Sequence, residues 1–316
     1  MPLGPREILF VIVLPAVAVL VMIAISWRAW RRSAQRGDWG GPIGIVIAFA
    51  IAHRFVAGSW PALPPTESMG WLLVAAVGAA VIGIVDALIP LPTAVRAATS
   101  FLVAGGACAI VLQTVMRNWP IGQHVVTLLI LALAGLGWWC SIVATARDGG
   151  VLAPLVLWIV SSTLAMALML PPDASLRFGQ LTLSLAAAAG AMFMLVLVRP
   201  NVSFTRGVPM VFATISVTLI AAAHYLFDWR LIYAVPLLAA PGFVMLGRLI
   251  PAPQPTTATR KLARLLIRVA PLVVVMAVVL AVAVIEFRRS ESATGYDQEL
   301  GTAPNDVSTP ADVRTI

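Results

Sequence analysis

Residues 7–36 read EILFVIVLPAVAVLVMIAISWRAWRRSAQR, an uncharged run from Ile8 to Trp27 followed at once by Arg28, Arg31, Arg32 and Arg36. A helix advances ~1.5 Å per residue, so a run of this length reaches across the ~30 Å hydrocarbon core of a bilayer. Backbone amides find no water there, and a helix satisfies all of them within the segment. The arginines behind the run are the flank of a retained anchor, because Lys and Arg gather on the cytoplasmic side of a span. A cleaved signal peptide would have a shorter apolar region of ~7–15 residues. Its leading segment here, Met1 to Glu7, also holds one Arg and one Glu.

The same pattern recurs along the chain. Nine further apolar stretches run at about 42–59, 70–90, 97–116, 121–144, 150–170, 180–198, 207–227, 230–249 and 265–286. Of the 316 residues, 60% are hydrophobic and only 11% charged, and the mean hydropathy is +0.97. A soluble domain carries ~25% charged residues, so this composition excludes a water-facing surface. An outer-membrane barrel would show alternating segments of ~10 residues, and none is visible. The expected fold is all-α: a polytopic transmembrane helix bundle of about ten spans over residues 1–286, with no soluble domain. Residues 287–316 are rich in Ser, Thr, Asp, Glu and Pro. They are expected to form a disordered polar tail on the non-cytoplasmic side, since they lack the apolar surface that offsets ordering entropy.

Orientation follows from the basic residues. With the N-terminus outside, cytoplasmic loops hold Arg28, Arg31, Arg32, Arg36, Arg96, Arg147, Arg199, Arg206, Arg248, Arg260, Lys261, Arg264 and Arg268. The outer side holds Arg6, Arg117, Arg177, Arg230, Arg288, Arg289 and Arg314, and Arg54 falls within a span. This asymmetry predicts N-out and C-out in a cell (inner) membrane. Parity sharpens it. The clusters at 28–36 and 260–268 share a side only if an even number of spans separates them, and eight are expected. The net charge of +8 is scattered through the loops, which excludes a nucleic-acid-binding face and leaves the lipid bilayer as the implied partner. Protein partners are not readable. The segment Pro251 to Ala258 reads as a stiff linker, and the cations from Arg260 to Arg268 as a positive-inside flank or a short interfacial helix.

No catalytic signature survives: there is no Walker loop, G-x-G-x-x-G, H-E-x-x-H or G-x-S-x-G, and His53-Arg54-Phe55 has Phe where a kinase-like motif needs Asp. Cys108 and Cys140 lie in apolar stretches and read as small hydrophobes. Within spans the ionisable residues are Arg54 and Asp86, each near a span end. Asp86 is expected to pair with Arg96 across the Pro90–Pro92 turn. Arg54 is expected to snorkel outward, facing Glu67.

The proposed topology gathers His53, His124 and His224 at the outer face, with Glu67, Asp173 and Asp228 in adjoining loops. Imidazole and carboxylate are the ligands of zinc and copper sites, and paired histidines hold haem, so these three are the candidate metal or haem ligands; no other cofactor is implied. The plainer account is an interfacial aromatic belt, with Trp60, Trp71, Trp119 and Trp229 outside and Trp27, Trp30 and Trp39 inside.

Pro236, Pro241 and Gly242 stand inside one span, which predicts an interrupted helix with free carbonyls near residues 232 and 237. Interrupted helices build many transporter sites, so these residues, with Ser161, Ser162 and Thr163 at mid-depth, are the candidate solute path. Small residues such as Gly105, Gly106, Gly135, Gly137 and Ala186 through Ala191 read as helix-packing seams.

The stretch from Gly41 through Ala52-His53 to Trp60-Pro61-Ala62-Leu63-Pro64-Pro65-Thr66-Glu67-Ser68, with Trp71, resembles a pattern in uncharacterised polytopic bacterial membrane proteins. The resemblance implies a multi-pass bacterial membrane protein and carries no activity. Three functions stay open: a permease- or flippase-like protein for a small or apolar solute, a non-catalytic scaffold or accessory subunit, and a metal- or haem-binding protein using the histidines. Ten spans also divide near Arg147–Gly150 into five and five, by analogy with inverted-repeat transporters.

Overall fold

The computed structural model describes residues 4–29, 39–148, 150–170, 175–199, 202, 204–249 and 258–300, with side chains left aside at 28–29, 258–262, 264 and 290–300. Every regular element among the described residues is helical. Ten helices are long and apolar enough to cross a membrane: α1 Pro5–Trp27, α2 Gly40–Ala57, α3 Ser68–Leu88, α4 Thr93–Met116, α5 Ile121–Asp148, α6 Leu152–Met169, α7 Leu176–Val198, α8 Val208–Phe227, α9 Leu231–Leu249 and the span Leu265–Arg289. That last span lies within α10, Ala258–Leu300.

Helix ends follow local chemistry. Pro92 precedes α4, Pro120 precedes α5 and Pro209 sits in the first turn of α8, where a missing N–H costs nothing. Gly58 closes α2 in the left-handed region at φ 74°, and Asp228 closes α8 at φ 52°. Two boundaries differ from the sequence expectation. Helix α5 runs to Asp148, because its last turn is held by the ion pairs described below. Helix α10 continues past residue 287 to Leu300, since an established helix adds a hydrogen bond with each residue it recruits. Residues 301–316, the linker 251–257, Asp173 and Trp30 lie outside the described residues. The basic run after Ala258 is the opening of α10 itself, not a separate interfacial helix.

Short connections make consecutive helices antiparallel, which defines two faces. The N-terminal face carries the start of α1 and the 57–68, 116–121, 169–176 and 227–231 connections. Long-range contacts support the alternation independently. On that face Phe10 stacks on Phe55 with ring centroids 5.0 Å apart, and Gln180 donates to Glu7 at 3.4 Å. Arg230 at the start of α9 also meets Glu286 near the end of the last span, at 2.6 Å. On the opposite face Asp148 meets both Arg248 and Arg268, at 2.6 and 2.8 Å.

Helix α8 is the axis of the bundle. It touches α2 through α7 and α9, leaving only α1 and α10 without contact among the described residues. Its apolar window is 78% buried, against 22% for α1 and for the last span, so the two terminal helices form the lipid-facing periphery. Small residues let backbones close: a Cβ built on Gly135 of α5 would stand 2.3 Å from Ala104 Cβ of α4. The adjacency lacks a five-and-five repeat. Helix α4 packs on α8, whereas α9, its counterpart in such a repeat, does not touch α3 among the described residues.

Candidate functional site

At the N-terminal face the α2–α3 connection folds over the end of α2 and encloses a cavity of about 340 Å³ with the start of α7. Rigid proline backbone shapes this connection, and it reaches α3 because Gly70 has no side chain: a Cβ there would stand 2.9 Å from both Pro61 and Pro65. The cavity is lined by His53 from α2, Trp60 and Glu67 from the connection, and Arg177 from the first turn of α7. Glu67 and Arg177 are exposed, and neither makes an ion pair among the described residues. His53 is buried, 2% exposed, and its Nε2 lies 3.1 Å from the Met69 carbonyl. A carbonyl can only accept, so Nε2 carries a hydrogen; Nδ1 has no hydrogen-bond partner among the described residues. The volume suits a small molecule. The lining includes one cation, one anion, one indole and one imidazole.

At the opposite face lies a buried polar knot. Asp86, 1% exposed at the end of α3, accepts from Arg96 Nε at 2.5 Å and Arg96 Nη2 at 3.1 Å. The same carboxylate accepts the Gly207 N–H at 2.9 Å, and Arg96 Nη2 also donates to the Thr205 carbonyl at 2.8 Å. The Arg96 guanidinium stands 5.5 Å from the centre of the Trp139 ring. Gly207 is the N-cap of α8 with φ 68°, and a Cβ there would stand 2.5 Å from the Gly83 carbonyl oxygen. A carboxylate at the start of α8 opposes the positive end of that helix's dipole. Five elements, α3, α4, α5, α8 and the connection before α8, thus meet at one ion pair.

The other sequence candidates fall differently. Arg54 donates to the Gly58 carbonyl and does not pair with Glu67, because the turn that closes α2 brings that carbonyl within its reach. Among the described residues no group of three or more His, Cys, Asp or Glu side chains gathers to hold a metal. His53, His124 and His224 therefore do not form the expected cluster. His224 Nδ1 donates to the Trp229 carbonyl at 2.6 Å, while His124 and Tyr225 flank Trp119 at 6.1 and 5.1 Å between ring centroids. Trp229 is not part of an exposed belt: it is 2% exposed and stacks on Tyr233.

Pro236, Pro241 and Gly242 lie in one continuous helix, not an interrupted one. The Trp138 indole N–H donates at 2.8 Å to the Leu238 carbonyl, next to the site where Pro241 removes a backbone donor. Ser161 and Thr163 are buried in α6 and Ser162 is half-buried; none of these six residues lines the cavity.

Several site features have no local sequence signal. Arg177 reaches the cavity from more than a hundred residues beyond Glu67, and Tyr233 joins Arg230 on Glu286 with an O···O distance of 2.5 Å. No known protein family, curated protein or solved structure matches this chain.

Proposed function

We propose that this chain is a multi-pass protein of a bacterial cell membrane, N-out and C-out, that takes up a small solute at its outer face in the manner of a permease. The observation that carries the reading is the cavity between the α2–α3 connection and α7, which Glu67 and Arg177 line together with His53 and where neither charge makes an ion pair among the described residues. Unpaired charges around a concavity of small-molecule size are what a selective entrance requires, and structural ion pairs elsewhere in the chain consume their charges instead. The excess of arginine at the opposite face supports the orientation.

A second reading, a non-catalytic scaffold, draws on the close packing of α8 and the continuity of α9. Reconstituted proteoliposomes separate the two. Uptake of a panel of radiolabelled small polar solutes is expected to exceed that of protein-free liposomes for at least one of them. It is expected to fall when Glu67→Gln and Arg177→Gln are combined. Background uptake for the whole panel, with a stoichiometric protein partner retained through native purification and mass spectrometry, favours the scaffold.

A further inference from the structure

We infer that the cavity at the N-terminal face is built for a small zwitterion, a molecule carrying both an ammonium and a carboxylate or phosphate. The inference rests on the reading of this cavity as the entrance site and names what enters it. Glu67 and Arg177 line the same cavity, and neither makes an ion pair, with the other or elsewhere, among the described residues, so the lining carries both signs of charge. A simple cation would satisfy Glu67 and be opposed by Arg177, and a simple anion the reverse. A molecule with both charges satisfies both at once.

The remaining lining fits the same chemistry. Trp60, 60% exposed, lines the cavity with Glu67, and an indole is an aromatic partner for an ammonium group. Arg177 lies in the first turn of α7, where the helix dipole adds to its attraction for a carboxylate or phosphate. His53 is held by its bond to the Met69 carbonyl, which sets its tautomer and makes it a fixed wall of the cavity.

Such chemistry has two sources at a membrane surface, a free zwitterion and the headgroup of a zwitterionic phospholipid. Both are tested on the full chain by isothermal titration calorimetry, in detergent with glycine and phosphoethanolamine, and in nanodiscs with and without phosphatidylethanolamine. Ethanolamine and inorganic phosphate serve as half-ligands. The expected result is that a zwitterion binds roughly tenfold to a hundredfold more tightly than either half, the worth of one charge-assisted hydrogen bond. Glu67→Gln should then erase the advantage over phosphate, and Arg177→Gln the advantage over ethanolamine. Both side chains are exposed, so neither variant threatens the fold.

Binding confined to the phosphatidylethanolamine arm assigns the site to a headgroup and upholds the class. No zwitterion binding in either arm, equal binding of a half-ligand, or unchanged selectivity in both variants overturns the inference. Binding without uptake into proteoliposomes removes the permease reading and leaves the site. Uptake of an uncharged solute without zwitterion binding does the opposite.

Discussion

Replacing Asp86 tests the polar knot most severely. The carboxylate is 1% exposed and accepts three hydrogen bonds, at 2.5, 3.1 and 2.9 Å, from Arg96 and Gly207. In Asp86→Ala the Arg96 guanidinium, on a side chain 8% exposed, keeps only the Thr205 carbonyl and the Trp139 ring. Removing one partner of a buried pair strands the other charge, and that costs about 3–5 kcal/mol. Asp86→Asn keeps an acceptor for Gly207 but loses the charge, and belongs near the lower end of that range. The double variant Asp86→Leu/Arg96→Met removes both charges. It should be more stable than the sum of its single changes by at least ~1 kcal/mol, because stranding is what makes each single change costly. Equilibrium unfolding in mixed detergent micelles, followed by circular dichroism, measures these three and the single changes Asp86→Leu and Arg96→Met. If Asp86→Ala unfolds within ~0.5 kcal/mol of the parent, a span typical of uninvolved surface positions, or if the single costs simply add, the knot does not hold these elements together.

The remaining predictions concern its neighbours. Gly207→Ala meets both a left-handed backbone at φ 68° and the Gly83 carbonyl 2.5 Å from the new methyl. It should cost at least ~1–3 kcal/mol of unfolding free energy, and a variant as stable as the parent would refute the described turn. Asp148→Asn breaks two ion pairs whose side chains are 14–30% exposed. It should cost no more than ~1 kcal/mol, and less as salt is raised, which unfolding at two ionic strengths resolves. Trp138→Phe keeps an aromatic ring but removes the donor to Leu238 and leaves space where the buried indole stood, and should lose at least ~0.5–1.5 kcal/mol on the same unfolding curves. No change there would mean that the bond to the Leu238 carbonyl contributes nothing to stability.

The membrane spans were legible because the signal is local and long: each expected run of some twenty mostly apolar residues corresponds to one of the ten long apolar helices among the described residues. The Asp86–Arg96 pairing was legible for a related reason, since only a tight Pro90–Pro92 turn separates two charges that hydrocarbon forces together. Its further partners were not. Thr205 and Gly207 lie more than a hundred residues away, and nothing in their own sequence marks them as bonded to a carboxylate. The histidines misled because parity assigns residues to a face but not to a position around the bundle. His53 turned to a carbonyl of its neighbouring helix, and the cavity it lines depends on Arg177, an ordinary loop-end arginine by sequence. The two prolines of α9 misled because proline is tolerated inside membrane helices, and α9 runs unbroken through both.

The account depends above all on the cavity facing outward, and cysteine accessibility measures this directly. In a Cys108→Ala/Cys140→Ala background, single cysteines are placed at Ser59, exposed in the α2–α3 connection, and at Thr93, exposed one helix later on the opposite face. A membrane-impermeant maleimide is applied to intact cells and then to permeabilised ones. Ser59→Cys should label in intact cells, and Thr93→Cys only after permeabilisation. Labelling of Thr93→Cys in intact cells, alone or together with Ser59→Cys, would contradict the topology and the outward-facing site built on it.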